Sequence, residues 1–201
     1  VILAQLEQLA QVSRMTVLKD LDEIERWLEL QEVRLIRKPH FGILVSGLEH
    51  NCQQAMAELL WGETPFSGDP ITVMTHSDGL SFDLSNDAHL SPLVTFISQY
   101  LSGLHLRRTI GLVAKAEEQL GGRFTDDAVL HLALIFAIRA CRIKGGNHLV
   151  VNDQLLTSLK ETKMWSVATY VANRLGRESN AIWKPADIAG VAMEMMSAPR
   201  N

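Results

Sequence analysis

Apolar side chains over the first thirty residues recur at helical spacing. In "ILAQLEQLAQ", Leu3, Leu6 and Ala10 fall on one side of a helix. Val12 and Ser13 break that pattern, and Ser13 is a good N-cap for a second helix over 14–30. There Val17, Leu21, Ile24 and Leu28 step by four, three and four, which predicts one buried stripe. The pattern then changes. "VRLIRKPHFGILVSG" holds two β-rich runs, 33–36 and 43–45, around "RKPHFG", where Pro39 and Gly42 supply turn chemistry. It predicts a hairpin with a basic tip. A short helix follows over 49–61, "EHNCQQAMAELLW".

The stretch 63–90 is rich in Pro, Gly, Ser and Asp and reads as a linker, with 71–74 as a candidate small strand. After Ser91-Pro92, an N-cap followed by proline at the first helical position, everything is helical in pattern. Helices are predicted over 93–101, 106–120, 125–144, 153–160, 165–175 and 185–197, with Gly121-Gly122 and Gly145-Gly146 among the breaks. Thr125 caps the third of these, and Asp126 and Asp127 suit its dipole. The fold class is therefore mainly α. A winged helix-turn-helix with a trailing helix occupies 1–62, its first helix expected to lie upstream of Val1. An all-α bundle occupies 91–201.

Composition narrows the chemistry. The 201 residues are 47% hydrophobic and 21% charged, which is ordinary globular material. No apolar run has the length of a bilayer span, and there is no signal-peptide pattern, so no membrane partner is expected. Cys52 and Cys141 are the only cysteines, which makes a disulfide scaffold improbable and a reducing, cytoplasmic setting the default. The formal net charge is −4, so any nucleic-acid contact must come from a local basic face. No glycine-rich phosphate loop, nucleophilic triad or metal-ligand spacing is present, and neither an enzyme, a cofactor nor a metal is expected.

Two groups of residues carry candidate function. A helix that reads DNA needs polar side chains near its N-terminus, and Ser13, Arg14, Thr16 and Lys19 fit. Arg37, Lys38 and His40 at the hairpin tip suit phosphates. The plainer alternative is a helix-turn-helix that packs or dimerises without touching DNA. Asp22, Glu23 and Glu25 further along the helix would repel a duplex if they faced it. In the bundle, the apolar stretch 128–141 carries only His131 and Arg139 as ionisable residues, and "ADIAGVAMEMMSA" carries Glu194 near its middle. A charge on such a face is costly unless paired or solvated. Each group either sits at a solvated helix edge, or His131 and Glu194 share one polar site.

At these residues the chain resembles a known family. "LAQVSRMTVLKDLDEIERWLE" and "VRLIRKPHFGILVSGLEH" resemble the winged helix-turn-helix of bacterial activators of the mannitol and lichenan operon class. "FTDDAVLHLALIFAIRACRIKGGNHLVVNDQLLTSLKETKMWSVATYVANRL" and "WKPADIAGVAMEMMSA" resemble the phosphotransferase-system regulation domain, or PRD. The resemblance implies a homodimeric, cytoplasmic transcription activator of a sugar-utilisation operon. Its histidines would be phosphorylated by the phosphotransfer protein HPr or by an enzyme IIB. His131 falls on the family's first histidine and would be the phospho-acceptor. Glu194 falls on the second, so that position cannot accept phosphate on nitrogen, and the family's arginine falls at Ile138, beside Arg139. Glu194 is then a fixed negative charge in place of a phosphate, or a hydrogen-bond partner of His131. Two other classes remain: a dimerisation and protein-interaction module without DNA contact, and a relative of the RNA-binding antiterminators, whose small β-rich RNA-binding domain has no counterpart in the sequence.

Overall fold

Ser13 sits in extended backbone, and its hydroxyl accepts the Thr16 amide at 3.2 Å. One of the orphan donors of a helix start is thereby satisfied, and helix α2 (Arg14–Leu30) begins there, after α1 (Leu3–Ala10). The computed structural model describes residues 1–38, 41–61, 71–76, 79–84 and 91–201. Among these the chain is mainly helical. It divides into two compact units, Val1–Met74 with Ser81–Ser102, and Thr75–Leu80 with Gly103–Asn201.

In the first unit, Val17, Leu21 and Leu28 are buried and Ile24 is partly buried, as the four-three-four stripe predicts. They pack with Trp27, Val33, Leu35 and Ala55, and with Leu3 and Leu6 from α1. Strands β1 (Arg34–Lys38) and β2 (Gly42–Ser46) form an antiparallel hairpin, in register from Arg34 opposite Ser46 to Lys38 opposite Gly42. The chain start joins this hairpin. Ile43 N–H donates to the Val1 carbonyl at 2.6 Å, and the Val1 amine donates to the Ile43 carbonyl at 3.2 Å. Gly42 permits the approach: its φ is +92°, and a Cβ there would run into the Val1 carbonyl. Helix α3 (Glu49–Trp61) follows.

The segment expected as linker holds two paired strands, β3 (Ile71–His76) and β4 (Gly79–Leu84). The candidate strand at 71–74 is thus one arm of a hairpin. The short strands are hidden when composition is averaged over 63–90. Helix α4 (Ser91–Gly103), expected with the bundle, groups with the first unit as far as Ser102.

The second unit contains α5 (Leu106–Leu120), α6 (Asp126–Lys144), α7 (Asp153–Lys160), α8 (Lys163–Ser179) and α9 (Pro185–Ser197). Thr125 caps α6 by accepting the Ala128 amide at 3.3 Å. Helix α6 is central: Leu132 through Ala140 are all buried, and α5, α8 and α9 pack around it. Helix α8 starts two residues before the predicted 165 because Thr162, not a later residue, caps it by accepting the Trp165 amide at 3.3 Å. The last residues fold back on the α5–α6 turn, where Thr125 N–H donates to Pro199 O and Asn201 N–H to Arg123 O, both at 3.1 Å. No helix among the described residues is long and apolar enough to cross a membrane.

Candidate functional site

On the first unit, the N-terminal turn of α2 lies open to solvent. Ser13, Arg14, Thr16 and Lys19 are exposed, because the positions between them, Val17 and Leu21, take the buried side of the helix. Thr16 Oγ1 also shares a 2.9 Å hydrogen bond with the Ser13 hydroxyl. Arg14 makes a loose 3.7 Å pair with Glu7 on α1, an exposed contact that holds it weakly.

The hairpin residues divide. Lys38 is exposed, and His40 lies outside the described residues. Arg37 is engaged: its Nη2 donates to Asp22 Oδ1 and to Glu25 Oε2, both at 2.7 Å. That clamp ties the hairpin to α2. The single positive charge of Arg37 also offsets part of the charge of these two carboxylates. The expected phosphate contact at Arg37 is therefore an internal brace in this structure, and of the basic residues expected to meet DNA, Arg14, Lys19 and Lys38 are exposed.

In the second unit, His131 is partly buried on α6. Eight positions later on the same helix stands Arg139, about 12 Å along the axis. Arg139 is fully buried, and its Nη2 donates to Glu194 Oε1 on α9 at 3.1 Å, with the Glu194 side chain 11% exposed. The guanidinium lies over Gly190, one turn before Glu194, where an added Cβ would come within 2.8 Å of Arg139 Nη1. A small residue and a carboxylate, four positions apart on α9, thus form the seat for one buried cation. Glu194 thus has Arg139 as an ion-pair partner. The signal was available: a lone charge of each sign, Arg139 and Glu194, set in an apolar stretch of its helix, is the pair that burial favours.

A second polar group escaped the sequence reading altogether. Asp187, fully buried at the start of α9, accepts three bonds. His148 Nδ1 lies 2.7 Å from Oδ2, Leu149 N–H donates to Oδ1 at 2.9 Å, and Lys184 N–H donates to Oδ2 at 2.9 Å. One carboxylate therefore caps α9 and fastens the loop after α6 to it. Its position three residues after Lys184, the capping-box place, was the sequence signal for half of this role.

Cys141 is partly buried, and its Sγ lies 3.8 Å from the Gly103 carbonyl. Burial pushes the thiol above its ordinary pKa, while the nearby Lys144 pulls the other way. Among the described residues no group of His, Cys, Asp and Glu is placed to hold a metal ion. No protein-family model matches the chain, and a search of curated proteins finds no match.

Proposed function

We propose that the chain is part of a DNA-binding transcription regulator of a sugar-utilisation operon. In this reading Val1–Trp61 is a winged helix-turn-helix, with α2 as the recognition helix and β1–β2 as the wing. The helical second unit is PRD-like and tells the regulator, through phosphorylation of His131 by HPr or an enzyme IIB, whether its sugar is being imported. The observation that carries the reading is the open, Ser13-capped start of α2, with Arg14, Thr16 and Lys19 exposed beside a hairpin that ends in exposed Lys38. That is the arrangement by which such helices reach base edges while the wing meets phosphates. The clamp of Arg37 on Asp22 and Glu25 supports it, because it lessens like-charge repulsion from the same helix.

Regulation at His131 has a physical form. A phosphoryl group adds close to ~2 negative charges and several acceptor oxygens. Placed on a partly buried, imidazole-bearing turn of α6, it disfavours dry packing and favours a rearranged homodimer, which shifts the two DNA-binding heads. Glu194, already paired with Arg139, supplies a fixed charge on α9 in place of a second phosphorylatable group.

Binding to duplex DNA from the operon's promoter tests the reading. Affinity is expected to fall with added salt, and Arg14→Ala and Lys38→Ala each to make the log–log salt slope shallower by about 1. Slopes unchanged in both variants would overturn DNA contact by this unit.

A further inference from the structure

The chain is acidic overall, with a net charge of −4, yet one end of its bundle gathers cations. Helices α5 and α6 pack against each other, and the contact of Cys141 with the Gly103 carbonyl ties the end of α6 to the start of α5. This brings Arg107 and Arg108, in the first turn of α5, to the same pole as Arg142 and Lys144, in the last turn of α6. Arg107, Arg108 and Lys144 are exposed, whereas Arg142 is partly buried and already engaged in a contact of its own. No Asp or Glu occurs in the sequence from 88 to 116 or from 128 to 152. His148, in the loop just beyond, is held on buried Asp187 and is not part of the pole.

Helix stability explains only half of this. Cations in the last turn complement the dipole of α6, so Arg142 and Lys144 would be there in any case. Arg107 and Arg108 stand where the dipole of α5 is already positive, and His105 at the N-cap, with φ +50°, gives no side-chain cap. Two arginines at an uncapped, positive helix start oppose the local preference, and such conflicts mark sites kept for another purpose.

We propose that this pole binds the phosphate backbone of duplex nucleic acid, as a second contact surface on the bundle. The inference rests on the DNA-binding reading above. The partner class follows from what surrounds the charges. Two of the three exposed cations, Arg107 and Arg108, are guanidinium forks, suited to phosphate oxygens. Between 103 and 111 and between 139 and 150, Val150 is the one large apolar side chain exposed and no aromatic is, whereas protein partners dock on a cluster of apolar or aromatic anchors and single strands on stacking aromatics. Exposed Gly103, Gly111, Gly145 and Gly146 let a backbone come close.

The test measures binding of a labelled random-sequence duplex to the full 201-residue chain over a salt series. The quadruple variant R107A/R108A/R142A/K144A is expected to shallow the log–log slope by about 3, at roughly 0.9 for each of the three exposed cations, and R107A/R108A by about two-thirds of that. R107A/R108A is also expected to unfold at the same temperature as the parent or higher, since it relieves a conflict with the dipole. An unchanged slope in the quadruple variant, with R14A and K38A still shallowing theirs, would overturn the pole and leave the winged-helix reading standing. A slope lost in the quadruple variant but unchanged in R14A and K38A would uphold the pole and overturn that reading. A lower unfolding temperature in R107A/R108A with no change in binding would make the arginines structural and overturn the proposal. So would displacement of the duplex by polyglutamate at an equal concentration of charge, which would point to an acidic protein instead.

Discussion

Arg139 shows how a single buried charge organises a helix pair. Its guanidinium is removed from water on α6 and answered by Glu194 on α9. Breaking such a pair from one side leaves an uncompensated ion, so Glu194→Ala is expected to cost about 3–5 kcal/mol in urea unfolding. Replacing both residues by leucine is expected to cost far less, because a buried pair exchanged for apolar packing is often neutral. Equal losses in the two variants would show that the pair is not the unit of stability. Asp187 makes a second residue-scale case: Asp187→Ala strands two backbone donors and the His148 ring, at about 1–3 kcal/mol for each buried group left unsatisfied. Cys141 gives a chemical readout. Its raised pKa keeps the thiol neutral, so it is expected to alkylate more slowly than a free thiol at mildly alkaline pH, and equal rates would contradict the burial described here. At this scale the sequence was partly legible. The lone ionisable residues His131, Arg139 and Glu194 stand out against apolar neighbours, but their pairing depends on how α6 and α9 are turned, which a one-dimensional pattern does not carry.

Elements were the most legible scale. The spacing of Val17, Leu21, Ile24 and Leu28 and the caps at Ser13 and Thr125 predict α2 and the start of α6 closely, because an N-cap and an apolar stripe are local properties. Thr125→Ala is expected to lower stability by about 1 kcal/mol, checked by thermal unfolding. The β3–β4 hairpin was less legible, since its turn residues resemble linker residues and only strand pairing separates the two. The pairing of Val1 with β2 was not legible at all. Nothing in the sequence marks residue 1 as the neighbour of residue 43, although Gly42 marks a turn there. Gly42→Ala has to adopt a left-handed conformation and also push Val1 aside. It is expected to destabilise the first unit by more than the ~1 kcal/mol of a residue misplaced in that region alone, and to abolish hydrogen-exchange protection at the Ile43 amide. Retained protection would contradict the pairing.

For the whole molecule, the sequence patterns separate a mixed N-terminal unit from a helical C-terminal one, and in the structure one compact unit joins Gly103–Asn201 with Thr75–Leu80 while α4 as far as Ser102 groups with the other. The reason is that α4 is equally helical in either assignment, and its partners, not its periodicity, decide where it belongs. The proposed division of labour follows from charge. An acidic chain reaches a polyanion only through local basic faces, and the described residues present two: the start of α2 with Lys38, and the pole of α5 and α6. The proposed control acts on a third place, the partly buried ring of His131.

That ring is where the account is most directly tested. The chain is incubated with HPr, the kinase that charges HPr and phosphoenolpyruvate, and its intact mass is read before and after, beside a His131→Ala variant. The account predicts an acid-labile gain of one phosphoryl group on the parent and none on the variant. An unchanged parent mass, or an equal gain on both chains, would contradict it.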